Sequence, residues 1–166
     1  MKKIILISDT HHSLDKRLFH HLEKADEIWH AGDIGDLSVT DKLKDFASLK
    51  AVWGNIDNNT IRNEFKETLY FKCEEVSIMI THIGGYPGKY NKKIRPIIEQ
   101  KKPDIFISGH SHILKVMYDK KNDLLHMNPG AIGDYGIHKV KTILSFKIEG
   151  KKIKELKVIE FPRKKS

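Results

Sequence analysis

DIFISGHSH, residues 104–112, sets a short β-branched apolar run directly before a glycine and two histidines one residue apart. The run DIFI (104–107) has the pattern of a buried strand. A strand ending this way leaves two imidazoles at the edge of a sheet. Where the chain stays extended, residues i and i+2 project the same way, so His110 and His112 are expected to converge on one point. Neutral imidazole is the commonest side-chain metal ligand. In isolation such a pair reads equally as an accident of a surface loop, since the chain carries 10 histidines.

The same grammar recurs along the chain. KIILIS (3–8) reads as a strand and runs into Asp9, Thr10 and His11. EIWHA (27–31) runs into Gly32-Asp33, and KAVWG (50–54) into Asn55. SIMIT (77–81) delivers His82, with Gly84 and Gly85 behind it. Each residue alone has a duller account. Asp9 could cap a following helix, Asp33 could open a turn with Gly35, Asn55 could be a turn residue before Asp57, and His82 could be a satisfied core histidine. Five strand ends in order, each bearing oxygen or nitrogen donors, are hard to assign to chance. In α/β sheets, sites form just outside the carboxyl ends of strands. Seven such donors suit a pair of divalent cations, and the glycines allow close backbone approach beside them.

Between the strands, SLDKRLFHHLEKA (13–25) predicts a helix capped by Ser13, with Leu14, Leu18 and Leu22 on one face. A second helix is expected over 38–49, with Leu43, Phe46 and Leu49 inward, and a third over 89–101, ending before Pro103. TLYFKCEEVSIMITH (68–82) reads as a hairpin turning at Glu74 and Glu75. ILKVMYD with LLHMNPG, and KTILSFKIEG with KIKELKVIEF, make two more. Alternating β and α in front with hairpins behind predicts an α/β sandwich of mixed sheets covered by helices.

The 166 residues, 39% hydrophobic and 31% charged, suit one soluble domain with a sizeable core, here expected over 1–166. No stretch reaches the ~20 apolar residues of a membrane span, so no membrane partner is expected. MKKIILISD imitates a signal peptide, but its apolar run IILI stops at Ser8, short of the roughly 7 to 15 residues of an h-region. The single Cys73 forms no internal disulfide. Both point to the cytoplasm. The net charge of +8 invites a nucleic-acid partner. The lysines are scattered, however: NKK at 91–93, EQKK at 99–102, DKK at 119–121, GKK at 150–152, and RKK near the end. A solvated surface that steers anionic substrates inward is the reading adopted. A homo-oligomer stays open.

The series DTH, GD, GN, TH and GHSH resembles the calcineurin-like metallophosphoesterase superfamily. The short length and the GNID form resemble its compact YfcE-type phosphodiesterases. The likeness runs from Ile4 to about Gly130 and includes NPGA (128–131). It implies a four-layer αββα sandwich of two mixed sheets flanked by helices, and a phosphate-ester substrate. One metal would be held by Asp9, His11, Asp33 and His112, the other by Asp33, Asn55, His82 and His110, with Asp33 bridging. Asp33 and Asn55 would thus serve catalysis through the metals. The mixed N/O donor set suits Mn²⁺, with Fe, Zn or Ni as alternatives, better than Ca or Mg.

Two departures matter. Superfamily phosphatases usually place a histidine after Gly-Asn to protonate the leaving oxygen, and here that position is Ile56. Asp57 and His12 are the nearest candidates to replace it. Ala131 stands where such proteins usually have serine, which removes a hydroxyl contact to phosphate. Alternative functions are a nuclease or phosphomonoesterase of the same fold, or a scaffold like the small subunit of retromer, whose metal ligands are altered. This chain keeps all seven.

Overall fold

The computed structural model describes residues 1–163; residues 164–166, which complete the last basic run and the expected domain, lie outside the described residues. Strand β1 (Lys2–Ile7) shows how the layers arise. Ile4 and Leu6 join a core with Trp29, Ile78, Ile80, Ile105 and Ile107. Their neighbours Ile5 and Ile7 face the other way, among Leu18, Leu22, Val39 and Leu43. A strand buried on both faces needs an unbroken apolar run, which is what IILI supplies.

The first sheet has the order β12-β11-β1-β2-β3. It contains β2 (Glu27–His30), β3 (Ser48–Ala51), β11 (Val140–Glu149) and β12 (Lys152–Pro162) beside β1. The second has the order β4-β5-β8-β10-β9. Its strands are β4 (Thr68–Cys73), β5 (Val76–Thr81), β8 (Ile105–Ile107), β9 (Leu114–Asp119) and β10 (Leu124–Pro129). β1, β2 and β3 run parallel, as do β5, β8 and β10, while the hairpin partners are antiparallel. Both sheets are therefore mixed. They share the central core, and helices cover the outer faces: α1 (Phe19–Leu22) and α2 (Leu37–Lys44) on the first, α4 (Arg95–Lys101) on the second through Ile98 against Met79 and Phe106. The expected four-layer αββα sandwich is the observed architecture.

The helices are shorter than the sequence pattern suggests. Over 13–25 the structure has a 3₁₀ turn, Lys16–Leu18, followed by α1, and the cap is Asp15, whose side chain accepts from the Arg17 amide at 3.0 Å, rather than Ser13. Residues 9, 11 and 12 have positive φ, so the chain reaches Asp15 before a helix can begin. α2 is capped by Asp36, which accepts from the Ser38 amide at 2.8 Å. It ends at Lys44 because Ser48 and Leu49 pair with Glu27 and Ile28 as strand. The helix expected over 89–101 begins only at Arg95. Lys89–Tyr90 (β7) pairs with Gly85–Tyr86 (β6) as a small hairpin. Pro96 explains the boundary: it fits a helix's first turn and would break the interior of a longer one. α3 (Asn59–Glu64), capped by Asn58, was not expected from the sequence. Among the described residues no helix is long and apolar enough to cross a membrane.

Candidate metal centre

The loops leaving β1, β2, β3, β5 and β8 meet at one end of the sandwich. Backbone contacts knit them together: the Asp9 amide donates to Gly32 O at 2.9 Å, and the Gly109 amide to His82 O at 3.0 Å. Two donor groups result, one of Asp9, His11 and His112 and the other of Asp33, His82 and His110, each with its ligand atoms within 4.8 Å of one another. Asn55 adjoins the second, its Oδ1 3.0 Å from His110 Nδ1. That pair closes as a hydrogen bond donated by the ring, whereas with the ring nitrogen unprotonated both atoms would be free to hold a cation. All seven residues singled out in the sequence therefore lie in one cluster. The extended-chain argument for His110 and His112 is corrected, however. Both have positive φ (70° and 61°), so the chain is not extended there, and the two rings enter different groups.

Asp9 (φ 55°), His11 (φ 46°) and Asp33 (φ 57°) share that left-handed backbone. Non-glycine residues adopt it at a cost of order 1–3 kcal/mol each, and it concentrates where side chains must be aimed. Glycines complete the packing. A Cβ on Gly32 would sit 2.6 Å from His82 Nδ1, and one on Gly54 would sit 2.1 Å from Asp33 Oδ1.

Asp33 occupies the middle. Its Oδ2 lies 3.4 Å from His11 Nε2 and 3.1 Å from His82 Nε2, while Oδ1 accepts from the Ile56 amide at 3.1 Å. Asp9 is held by one oxygen: Oδ2 accepts from Ser8 Oγ at 2.5 Å and from the His110 amide at 3.2 Å. The other oxygen, Asp9 Oδ1, is buried without a hydrogen-bond partner among the described residues, as are His11 Nε2 and His82 Nε2. Orphaned buried donors facing two carboxylates fit a cation, since unpaired buried polar atoms are otherwise costly. His82 Nδ1 donates to Ala31 O at 2.7 Å, which leaves the Nε2 lone pair for a ligand, the outer contact typical of metal-bound histidine.

Burial opposes charge on Asp9 and Asp33, yet the neighbouring His11, His112 and His82 outweigh it and hold both carboxyls below their usual range. Burial likewise opposes charge on His11, but Asp33 and Asp9 push its pKa up to about 9. A cation at that nitrogen competes with a proton.

Several residues of the centre escaped the sequence reading. The Tyr135 ring stacks on His11, with centroids 4.9 Å apart, and the His138 ring lies edge-on to His112 at 5.3 Å. His138 Nε2 donates to Gly133 O at 2.8 Å, while Nδ1 is buried and unpartnered among the described residues. Their loop is clamped by Arg163, which donates to the carbonyls of Asp134, Gly136 and His138. The run GDYGIH (133–138) carries aromatic and imidazole groups, but it does not directly follow a strand end, the signal that marked the other donors. Two proposed substitutes for the missing acid fare differently. Asp57 accepts from the amides of Ile34, Gly35 and Gly54 at 3.1, 2.8 and 2.8 Å, which makes its carboxylate a brace of the loop, turned to the backbone. His12 sits exposed on the loop after β1. Ala131 is buried, and its carbonyl accepts from the Thr142 amide.

Below the cluster His30 is fully buried. The Gly32 amide donates to its Nδ1, so Nε2 carries the proton and donates to Thr10 Oγ1 at 3.0 Å. His126, buried in β10, donates from Nδ1 to Phe106 O at 3.1 Å. Burial pushes both down to about 4. Above the ordinary histidine value near 6.5 both are neutral, folded or unfolded. As pH falls from about 6.5 toward 4, the unfolded chain takes protons that the folded one refuses, so stability is lost across that window, on the order of 2–3 kcal/mol per group. The urea midpoint should therefore drop between pH 7 and 4.5, and His126→Gln should make that drop shallower. An identical slope in the variant would refute the account of His126.

Residues 1–151 match the family model for the calcineurin-like phosphoesterase superfamily domain. The chain is 35% identical over 133 residues to a probable metallophosphoesterase of Methanocaldococcus jannaschii, covering 76% of this chain and 66% of that protein. It thus spans just under two thirds of that relative's length. Among solved structures, wild-type Vps29 of Entamoeba histolytica complexed with zinc superposes with a TM-score of 0.76 at 18% identity, covering 98% of this chain and 99% of that one. A conserved protein of Streptococcus pneumoniae, described as a predicted phosphoesterase, does so with a TM-score of 0.71 at 22% identity, covering 98% and 90%. At those identities the superpositions speak to fold alone; the family model and the archaeal relative speak to descent. The chain belongs to the calcineurin-like phosphoesterase superfamily.

Proposed function

We propose that the chain, acting as a single cytoplasmic domain over residues 1–166, is a metal-dependent phosphodiesterase with a dinuclear centre. The observation that carries this reading is Asp33, whose one oxygen lies 3.1 Å from His82 Nε2 and 3.4 Å from His11 Nε2, between the two donor groups. Asp9, His11, Asp33 and His112 would hold one ion, and Asp33, Asn55, His82 and His110 the other. Two divalent ions, Mn²⁺ or alternatively Fe, Zn or Ni, supply Lewis acidity toward phosphoryl oxygens and lower the pKa of a water for in-line attack.

The chain's own residues set the terms of that chemistry. Asp33 offers one negative charge to both positions. Asn55, being neutral, withdraws less positive charge from its position than a third carboxylate would. Ser8 Oγ and the His110 amide fix Asp9 so that only Oδ1 is free. Ile56, 37% exposed beside Asn55, presents no transferable proton. Lack of general acid help typically costs about 10²–10⁴ in rate, most for poor leaving groups.

Two measurements test the reading. Reconstitution with Mn²⁺ should bring metal content to about two per chain, with hydrolysis of bis(p-nitrophenyl) phosphate; a protein that binds no metal would defeat it. Aryl diesters should be cleaved faster than alkyl monoesters, and log kcat/KM should fall steeply with leaving-group pKa. Ile56→His should raise rates for poor leaving groups more than for good ones. A flat wild-type slope would mean that another residue supplies the proton. A panel adding nucleic acid and monoesters separates the nuclease and phosphomonoesterase alternatives.

The second reading, a non-catalytic scaffold, is favoured by the fold likeness to Vps29 and by Ile113, Met117 and Tyr118, which stand exposed at and along the edge strand β9. Two bound metals without turnover on any phosphoester would select it.

A further inference from the structure

A cavity of about 460 Å³ opens directly beside Asn55 and His82. Trp53, Ile83 and Ile94 form its apolar wall, and Arg62, Lys92 and Lys93 bring positive charge. Glu67 is the one carboxylate in its lining among the described residues, so three cations face a single anion. The lysines belong to NKK (91–93), which by sequence reads as ordinary solvated surface.

Arg62 is the best-defined of these groups. Its guanidinium lies over the Trp53 ring, 4.0 Å from the centroid. Nε donates to Asp57 O at 2.7 Å, and Nη2 to Asn55 O at 3.3 Å. The head group is thus held over an indole and tied to the backbone that carries Asn55. Nη1 has no partner among the described residues. A restrained guanidinium is a ready fork for phosphate and a stacking surface for planar rings, and it loses little freedom on binding. Indole and guanidinium planes are sequence-tolerant platforms for nucleobases.

We infer that this cavity is a recognition site for a nucleotide arm, binding the nucleoside ring and a second, non-reacting phosphate of a phosphodiester whose reacting phosphorus sits at the metal centre. The inference rests on the phosphodiesterase reading above and adds the substrate class. An arm leaving the centre past Asn55 meets the ring platform first and the surplus positive charge of Lys92 and Lys93 around it. A plain alkyl arm would use neither. An uncharged nucleoside would use only the platform.

The test compares three chromogenic diesters on the Mn²⁺-loaded protein: methyl p-nitrophenyl phosphate, thymidine 5′-(p-nitrophenyl phosphate), and the latter bearing a 3′-phosphate. The leaving group is the same in all, so differences report the other arm. The nucleoside should raise kcat/KM about tenfold over methyl, and the 3′-phosphate about tenfold again. Arg62→Ala should reduce the 3′-phosphate ratio to about one or two. Because Arg62 also braces the Asn55 loop, Lys92→Ala/Lys93→Ala is the second variant, expected to reduce the same ratio from outside that loop. The ratio, rather than the rate, is the readout. If the wild type hydrolyses bis(p-nitrophenyl) phosphate but treats all three diesters alike, the inference is overturned and the phosphodiesterase reading stands. If nothing is hydrolysed, yet thymidine 3′,5′-bisphosphate binds by calorimetry and both variants weaken it at least tenfold, the recognition site stands and the hydrolytic reading falls. Absence of both turnover and binding overturns both.

Discussion

Asp33→Asn should lower kcat/KM at least about 10³-fold, about 4 kcal/mol of lost transition-state stabilisation, and should cost metal at both positions. The variant keeps the shape of the side chain and its oxygen facing the Ile56 amide, so the loss isolates the negative charge. That charge stands between His82 Nε2 and His11 Nε2 in a residue only 2% exposed, closer to both than Asp9 Oδ1, which lies 3.8 and 3.7 Å away. His112→Ala should behave differently. Its Nε2 lies 3.2 Å from Asp9 Oδ1, within one donor group, so one of the two ions should be lost first. Metal stoichiometry after Mn²⁺ reconstitution, measured beside kcat/KM for both variants, checks the contrast. Two ions and full activity in Asp33→Asn would contradict the assignment of a shared ligand.

Gly54→Ala should be nearly as damaging, although the residue donates nothing to a metal. The added Cβ would lie 2.1 Å from Asp33 Oδ1 and 2.4 Å from Asp33 N. The second of these is backbone and cannot swing aside, so Asp33 itself must move. The Gly54 amide is tied to Asp57, whose other contacts hold Ile34 and Gly35, so the strain spreads along the loop that follows β2. Overpacking of this kind costs typically 1–3 kcal/mol of stability, and a misplacement near 1 Å at a catalytic group costs about 10²-fold in rate. Gly88→Ala supplies the comparison. A Cβ there meets nothing within 4 Å, and although its φ of 86° makes alanine strained, the pocket that Gly88 lines contains none of the seven donor residues. It should lose some stability and no metal. Wild-type metal affinity in Gly54→Ala would show that the loop relaxes and that the close approach is not required.

What the sequence determined is the set of strand ends. IILI, EIWH, SIMIT and DIFI are apolar on both faces because central parallel strands are covered on both faces, so each stands out without reference to the rest of the chain. The polar residues after these runs, and after KAVWG, mark where loops leave a sheet, and that local signal was enough to collect Asp9, His11, Asp33, Asn55, His82, His110 and His112. Helix lengths were less legible, because strand pairing took Ser48 and Leu49 and because the helix expected from Lys89 starts only at Arg95, with Pro96 in its first turn. What only the tertiary structure decided is which donors face one another. His112 meets Asp9 across more than a hundred residues, and His82 meets Asp33 across about fifty. Such distances depend on how two sheets pack, and on left-handed turns at Asp9, His11, Asp33, His110 and His112, which Asp and His tolerate better than most residues but which their propensity is too weak to place. The same holds for Tyr135, His138 and Arg62, which have no strand-end signature and reach the site through long-range packing. Local covalent pattern is written residue by residue, whereas the aim of a side chain is set by contacts that exist only once the layers have closed.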